Sequence, residues 1–541
     1  MNEFDYIIVG AGSAGCVLAH RLTESGRHRV LVLEAGGSDR RVWLRVPIGY
    51  GKSFYDPRVN WMYRTEPDPG LDNRRGYWPR GKVLGGSSAI NAMVFIRGQP
   101  ADFDDWATAG NPGWGWSDVL PYFKRMEDSP GGADAWRGAG GPLAVSDVSA
   151  DLHPLCATFL RAGDELGLPR SPDFNGPRHE GVGLYQITTR NGLRMSSARA
   201  YLHPAMKRPN LRVETDALAV GLRFEGSRAV ALDYVQRGTR HSVRAGREII
   251  LAAGAVNSPQ LLQLSGVGPA EILKPLGIAI VHENQAVGRH LQDHLCIDHL
   301  YRSRVSTLNQ ELGAWSGKLR AGLRYLAFRR GPLALSVNQG GGFVRSRAEL
   351  DRPDMQLYFS PVSYTRTPPG TRPLMSPDPF AGFLLSAQPC RPTSIGHLQI
   401  VSSDPSTAPA IFPNSLATEH DVQAMIDGAK LLRRFAATPA LSEVIESEIE
   451  PGRERRSDAE LLAHVRQRGS TVFHPVSTCR MGADPKRSVV DASLKLHGLQ
   501  GLRVIDASVF PSLTSGNTNA PTIMVAEKGA DLVLQDATAT R

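Results

Sequence analysis

The sequence predicts an α/β fold in two parts, and three observations point to it. Asp5 to Gly36 reads as a buried strand, a glycine turn, a helix and a second buried strand in register. Residues 296 to 465 lose the glycine motifs and carry strand-like runs between helices. A short apolar strand, Leu502 to Ile505, then returns near the end of the chain. The expected architecture is a Rossmann-like nucleotide-binding domain joined to a domain of antiparallel sheet flanked by helices.

Each element of the opening unit has a physical reason. Tyr6 to Val9 is an apolar run short enough to be a buried parallel strand. Gly10-x-Gly12-x-x-Gly15 follows it, and Ala14, Val17, Leu18 and Leu22 then share one helical face. Gly10 permits the tight turn, Gly12 clears space for a pyrophosphate, and Gly15 lets helix and strand pack closely. The phosphates meet the unpaired N–H groups and the positive dipole end of the helix at Ser13 and Ala14. Val30 to Leu33 is the second strand, and Glu34 with Ala35 follows. A carboxylate there accepts hydrogen bonds from both hydroxyls of an adenosine ribose and repels a 2′-phosphate. These residues predict dinucleotide binding and disfavour NADP, leaving FAD and NAD open.

Composition excludes other classes. The chain has 541 residues, of which 41% are hydrophobic and 21% charged, as in a soluble globular protein. The absence of any run of 18 apolar residues argues against a membrane span. The first core strand starts almost at the N-terminus, so no targeting peptide is expected and a cytoplasmic location follows. The net charge of +9 is spread over small groups such as Arg40-Arg41, Arg74-Arg75 and Arg329-Arg330. Scattered cations with acids between them read as a solvated surface, with membrane contact at most peripheral, on the inner face, and no nucleic-acid partner. Cys16, Cys156, Cys296, Cys390 and Cys479 are odd in number and widely spaced, which suggests a reducing compartment. Their spacing offers no metal site.

Residues 37 to 80, rich in Pro, Arg and aromatics, read as an extended cover over a ligand. A second glycine turn follows at Gly85-Gly86, with Ser87 and Ser88 as local hydrogen-bonding groups. The opening fingerprint, Trp78 to Gly98 (WPRGKVLGGSSAINAMVFIRG) and Gly254 to Gly268 (GAVNSPQLLQLSGVG) together resemble the glucose–methanol–choline (GMC) oxidoreductase family. The resemblance covers nearly the whole chain and is strongest to bacterial alcohol dehydrogenase and choline dehydrogenase-like members.

The resemblance implies FAD as cofactor, with Val83, Gly86, Asn91 and Val94 lining the flavin and Val220 touching the adenine. Some members attach FAD through a histidine beside the motif asparagine. Ile90 stands there in this chain, so non-covalent FAD is expected. The full set of expected cofactor contacts is Gly10, Gly12, Ser13, Ala14, Gly15, Glu34, Ala35, Val83, Gly86, Asn91, Val94, Val220, Asp506, Ala507 and Thr522.

Further along, helices are expected near Val119 to Glu127 and over Leu155 to Leu166. Leu193 to Tyr201 resembles a family segment beside the substrate. Leu211 to Val213, Ala217 to Phe224, Ala229 to Val235 and His241 to Arg244 alternate as a small antiparallel meander. Glu248 to Ala253 is another buried strand, and Ser258-Pro259 opens a helix ending at Ser265-Gly266. Val287 to His294 matches a family motif in which His290 replaces the usual Asn; His290 and His294 read as scaffold.

In the second part, strands are expected at Met355 to Phe359, Gly382 to Gln388 and His397 to Val401, and helices at Asp421 to Phe435 and Asp458 to Arg466. The resemblance makes this half the roof over the flavin and the seat of substrate specificity. Gly331 to Ser346 carries Asn338 and Gln339 but no carboxylate, which argues against choline; Tyr358 and Phe359 argue for it as aromatic cage residues. The expected boundaries are 1–155, 205–295 and 468–541 for the FAD domain, and 156–204 and 296–467 for the substrate domain.

The C-terminal return holds Thr471 to Gly482 (TVFHPVSTCRMG) and Ser515 to Glu527 (SGNTNAPTIMVAE). Asp506-Ala507 ends a parallel strand at the edge where such sheets meet ligands. Pro521 suits the first turn of a last helix with Asn519 near its cap, aiming a positive dipole end forward. By resemblance His474 and Asn519 hold the two catalytic positions. An imidazole suits removal of a hydroxyl proton, and a carboxamide suits holding the alcohol oxygen. The expected activity is oxidation of a small-molecule primary alcohol to an aldehyde, with His474 as general base and an electron acceptor other than oxygen, such as a quinone. An alcohol oxidase making hydrogen peroxide and a hydroxynitrile lyase-like enzyme are the alternatives.

Overall fold

The computed structural model describes residues 3–364 and 376–539. Its first sheet has seven strands. Glu3–Val9 lies between Val30–Leu33 and Thr239–Leu251, parallel to both. Leu211–Glu214 extends the sheet beyond Val30–Leu33, and Leu502–Val504 pairs parallel with Thr239–Leu251. The apolar runs explain this centre: Tyr6 to Val9 and Val30 to Leu33 are buried on both faces, as parallel strands between helices must be. Register brings Val9, Leu33, Leu251 and Val504 to a common level. Gly10, Glu34, Ala252 and Ile505 therefore leave the sheet along one carboxyl edge.

Two readings of this region are corrected. Leu211–Glu214 belongs to the parallel sheet and not to the meander; four residues of alternating pattern do not distinguish the two. The expected strands at His241 and Glu248 are one long strand, Thr239–Leu251. Its first half pairs antiparallel with Arg228–Gln236 and its second half parallel with Glu3–Val9. The remaining meander strand is Ala217–Glu225.

The helix placed at Ser258-Pro259 starts earlier, at Gly254, and runs to Leu264 with Pro259 inside it. Proline lacks the N–H that would bond the carbonyl four residues back. That carbonyl, Ala255 O, accepts instead from the Thr478 hydroxyl at 2.7 Å. A residue of the C-terminal return thus makes the internal proline tolerable.

The second sheet is antiparallel throughout, in the order Ile445–Glu450, Leu295–Ser303, Gly382–Pro389, Met355–Ser360, Gly340–Val344, Gly181–Leu184. Helices Leu155–Glu165 and Glu419–Ala436 pack on it; in its core Phe159 stacks between Phe359 and Phe435, and Phe383 lies tilted against Phe359. The expected strand at His397 lies outside this sheet. His397–Gln399 pairs with Ala410–Phe412, and Leu398 N donates to Gly288 O, tying that ribbon to the first domain. Among the described residues no helix is long and apolar enough to cross a membrane.

Candidate active site

Three backbone turns converge at the carboxyl edge of the parallel sheet. The first, Gly10 to Ser13, is as tight as its glycines allow: a Cβ on Gly15 would sit 1.8 Å from Gly10 O. The second presses against it, for Gly86 has φ +51° and a Cβ there would lie 2.6 Å from Gly12 Cα. The third begins the last helix, Asn519–Ala539. Ser13 Oγ donates to Asn519 Oδ1 at 2.8 Å, so two helix starts meet side by side. Both aim N–H groups and positive dipole ends at the same space.

Behind these turns lies a buried clamp. Glu527 of the last helix, with no exposed surface, accepts from Arg21 at 2.8 Å, Arg125 at 2.8 Å and Tyr201 Oη at 2.8 Å. Tyr201 ends the stretch expected beside the substrate. That stretch instead braces the second glycine turn from behind: Arg194 donates to Asn91 Oδ1 at 2.8 Å, and Ser197 N to Ser88 Oγ at 2.9 Å.

The turns open onto a cavity of about 920 Å³. Gly10, Gly12, Ser13, Ala14, Glu34, Ala35, Gly86, Asn91, Val94, Asp506, Ala507 and Thr522 line it, and so do His474 and Asn519. Gly15, Val83 and Val220 lie off its wall. Gly15 packs inside the first turn, and Val83 is wholly buried beside Ile90. Val220 falls at a β-bulge, and Ala217, Leu218 and Ala219 form the wall on that strand.

Glu34 shows what part of the cavity is built to hold. It is 5% exposed, and its two oxygens accept from Ala11 N at 2.9 Å and Gly36 N at 2.8 Å. Each oxygen keeps a free lone pair. Burial pushes its carboxyl up to about 7 against the pull of those two amides. Asp506, by contrast, is spent on the protein: Gly254 N, Ser258 Oγ, Ser508 N and Ser508 Oγ all donate to it.

His474 sits at the far part of the wall, 8% exposed. Its Nδ1 is 3.0 Å from His294 Nδ1, and its Nε2 accepts from Asn517 Nδ2 at 3.2 Å. His294 Nε2 is 3.0 Å from Cys390 O. A carbonyl only accepts, so His294 carries its proton on Nε2. Burial pushes His294 down to about 4, so the ring is neutral and its Nδ1 is an acceptor. His474 must therefore donate from Nδ1, which leaves its Nε2 unprotonated, with Asn517 Nδ2 as its donor. Burial, then His294, then the Arg80 charge hold His474 well below the ordinary histidine range. The His474 ring is neutral at physiological pH, in one tautomer.

The backbone around this pair is knitted by Asp293, which accepts from His294 N at 2.9 Å, His474 N at 2.7 Å and the Thr471 hydroxyl. In the sequence His294 reads as scaffold, and neither Asn517 nor Asp293 stands out. Nothing in sequence distance links residue 294 to residue 474; the antiparallel pairing of Leu295–Ser303 with Ser470–Thr471 brings them together. Asn517, two residues before Asn519, was the signal available for the amide on His474. His290 adopts φ +60°, the left-handed region asparagine enters more readily than histidine, which accounts for the usual residue there.

GMC oxidoreductase family models match residues 4–296 and 392–526. The chain belongs to the GMC oxidoreductases. It is 43% identical to mitochondrial choline dehydrogenase of Mus musculus over 544 residues, covering 98% of this chain and 89% of the relative. It is 43% identical to "alcohol dehydrogenase [acceptor]" of Pseudomonas putida over 539 residues, covering 98% and 96%. Pyridoxine 4-oxidase from "Mesorbium loti" has a similar solved structure, with TM-score 0.88 and 32% identity over 97% of this chain and 98% of that one. GMC oxidoreductases bind FAD, and the cavity of this oxidoreductase fits such a group. Its side-chain-free turns, where a Cβ on Gly86 would collide with Gly12, and its buried acid with free lone pairs suit a pyrophosphate and a ribose.

Proposed function

We propose that this oxidoreductase converts a primary alcohol to an aldehyde, with His474 as general base and an electron acceptor other than oxygen. The observation that carries the proposal is the unprotonated Nε2 of a neutral, tautomer-locked imidazole at the cavity wall.

FAD would be held non-covalently by the turns at Gly10–Ala14 and Gly86, by Glu34 and by the start of the last helix; bound there, it accepts the two electrons of the oxidation as hydride. The chain's own residues handle the rest. His474 Nε2 takes the hydroxyl proton as the carbinol C–H bond breaks, so the alcohol leaves as aldehyde, proton and hydride. Asn517 Nδ2 donates to Nε2 at 3.2 Å and orients the ring. Because Nε2 has one lone pair, the contact gives way when the substrate hydroxyl takes its place. Ser13 holds the Asn519 carbonyl, which leaves the Asn519 amide nitrogen as the donor for a substrate oxygen. His474 and Tyr358 are themselves buried, which limits the water that reaches them.

The substrate class follows from the same wall. Tyr358 lines the cavity, 3.5 Å from Asn517, whereas Phe359 points into the opposite core. Tyr50, Phe54 and Phe473 line the cavity as well, so the wall offers aromatic faces to a quaternary ammonium group and suits choline as well as neutral primary alcohols. Anaerobic mixing of the yellow protein with aliphatic, aromatic and amino alcohols tests the whole proposal. Bleaching of the flavin by neutral alcohols supports it, and an unchanged spectrum with every alcohol points to lyase chemistry. Peroxide release in air with substrate alone would make the enzyme an oxidase. A flavin that stays with acid-precipitated protein would show covalent attachment.

A further inference from the structure

One helix of this oxidoreductase shows water a continuous apolar stripe. Trp315–Phe328 buries Ala321 and Tyr325 against the protein. On the outer side Trp315 is 77% exposed, Leu319 52%, Leu323 58% and Leu326 70%. At helical spacing these four fall within about 80° of arc. Lys318 borders the stripe on one side, and Arg320 and Arg324 border it on the other. The sequence contains no acidic residue from Leu312 to Ala348. Asp151 pairs with both Arg324 and Arg330, and one carboxylate cannot neutralise two guanidiniums.

We propose that the Trp315–Phe328 helix is a docking surface that seats the enzyme on an anionic lipid bilayer. A helix lying in the interface plane carries an apolar stripe for the acyl boundary and cations at its flanks for the headgroups. Four large exposed apolar side chains are costly to leave in water, and their basic flanks match anionic headgroups. A second copy of this chain is the poorer occupant, because a face on which basic side chains outnumber Asp151 repels its own image. The helix also lies close behind the cavity. Tyr50, Phe54 and Phe473 line the cavity and pack in the same cluster as Ala321 and Tyr325. Docking would place that wall of the cavity one side-chain layer from the lipid.

Vesicle sedimentation of the purified FAD-loaded protein tests the proposal. The protein should sediment with phosphatidylcholine vesicles carrying about one-third phosphatidylglycerol, and about tenfold less with phosphatidylcholine alone. Raising salt from about 0.1 M to about 1 M should release it, since the Debye length falls from about 10 Å to about 3 Å. Leu319→Glu with Leu326→Glu should cut vesicle binding about tenfold, leaving flavin content and turnover with a soluble dye acceptor unchanged. Should that pair fail to fold, Lys318→Glu with Arg320→Glu carries the same test on two exposed side chains. Wild-type protein that stays in the supernatant with anionic vesicles overturns the proposal. So does undiminished sedimentation of a folded variant. A dimer that the leucine substitutions convert to monomer, with no vesicle binding, would assign the face to a second copy and also overturn it.

Discussion

Replacing His294 by Phe keeps an aromatic ring and removes the acceptor that, among the described residues, faces His474 Nδ1–H. A buried donor left without its partner costs about 1–3 kcal/mol. His474 can escape part of that cost by moving its proton to Nε2, which is the nitrogen the reaction needs bare. Either outcome raises the barrier by the same order, so flavin reduction by alcohol should slow roughly 10- to 100-fold. FAD content should stay stoichiometric, because His294 does not line the glycine turns. His294→Asn places a carbonyl oxygen near the position of the lost Nδ1 and should recover most of the rate. Anaerobic stopped-flow at the flavin absorbance reads both variants. Wild-type reduction by His294→Phe, or equal loss in both variants, would refute the tautomer argument.

Other perturbations test the remaining parts. Glu34 is held up to about 7 in the ligand-free fold, so it binds its proton more tightly folded than unfolded. The ligand-free protein should therefore lose stability as pH rises from about 4.5 to about 7, while FAD affinity rises as the carboxylate forms; Glu34→Gln should flatten the affinity profile in a fluorescence titration. Gly86→Ala adds a Cβ 2.6 Å from Gly12 Cα at a left-handed φ, at a cost of about 1–3 kcal/mol, and should yield protein with depleted flavin. Glu527→Gln strips the charge from a carboxylate shared by Arg21, Arg125 and Tyr201. It should lower stability by about 2–3 kcal/mol, less than for a fully enclosed pair because Arg125 is 35% exposed, and urea denaturation should show a lower midpoint at unchanged slope.

The parts legible in the sequence were those written by one continuous physical pattern. Tyr6 to Val9 and Val30 to Leu33 are apolar throughout because parallel strands are covered on both faces, and the glycines between them have no substitute. Leu211–Glu214 was misplaced because a four-residue alternating run carries no statement of its partner. The start of the Gly254–Leu264 helix was hidden by Pro259, whose orphaned carbonyl is satisfied by Thr478, 223 residues away. The site divides in the same way. His474 and Asn519 stand in motifs, whereas the contact that sets the His474 tautomer is made by His294, 180 residues away in sequence. Pairing between distant strands, and not local pattern, made that contact.

The measurement closest to the central claim is anaerobic flavin reduction in His474→Ala. The variant should purify yellow with full FAD occupancy and reduce with a primary alcohol about 10²- to 10⁴-fold more slowly than wild type. In wild type the same rate should hold through neutral pH and fall only on acidification, as the buried imidazole gains its proton below the ordinary histidine range. A His474→Ala protein that holds FAD and reduces at the wild-type rate would contradict the account.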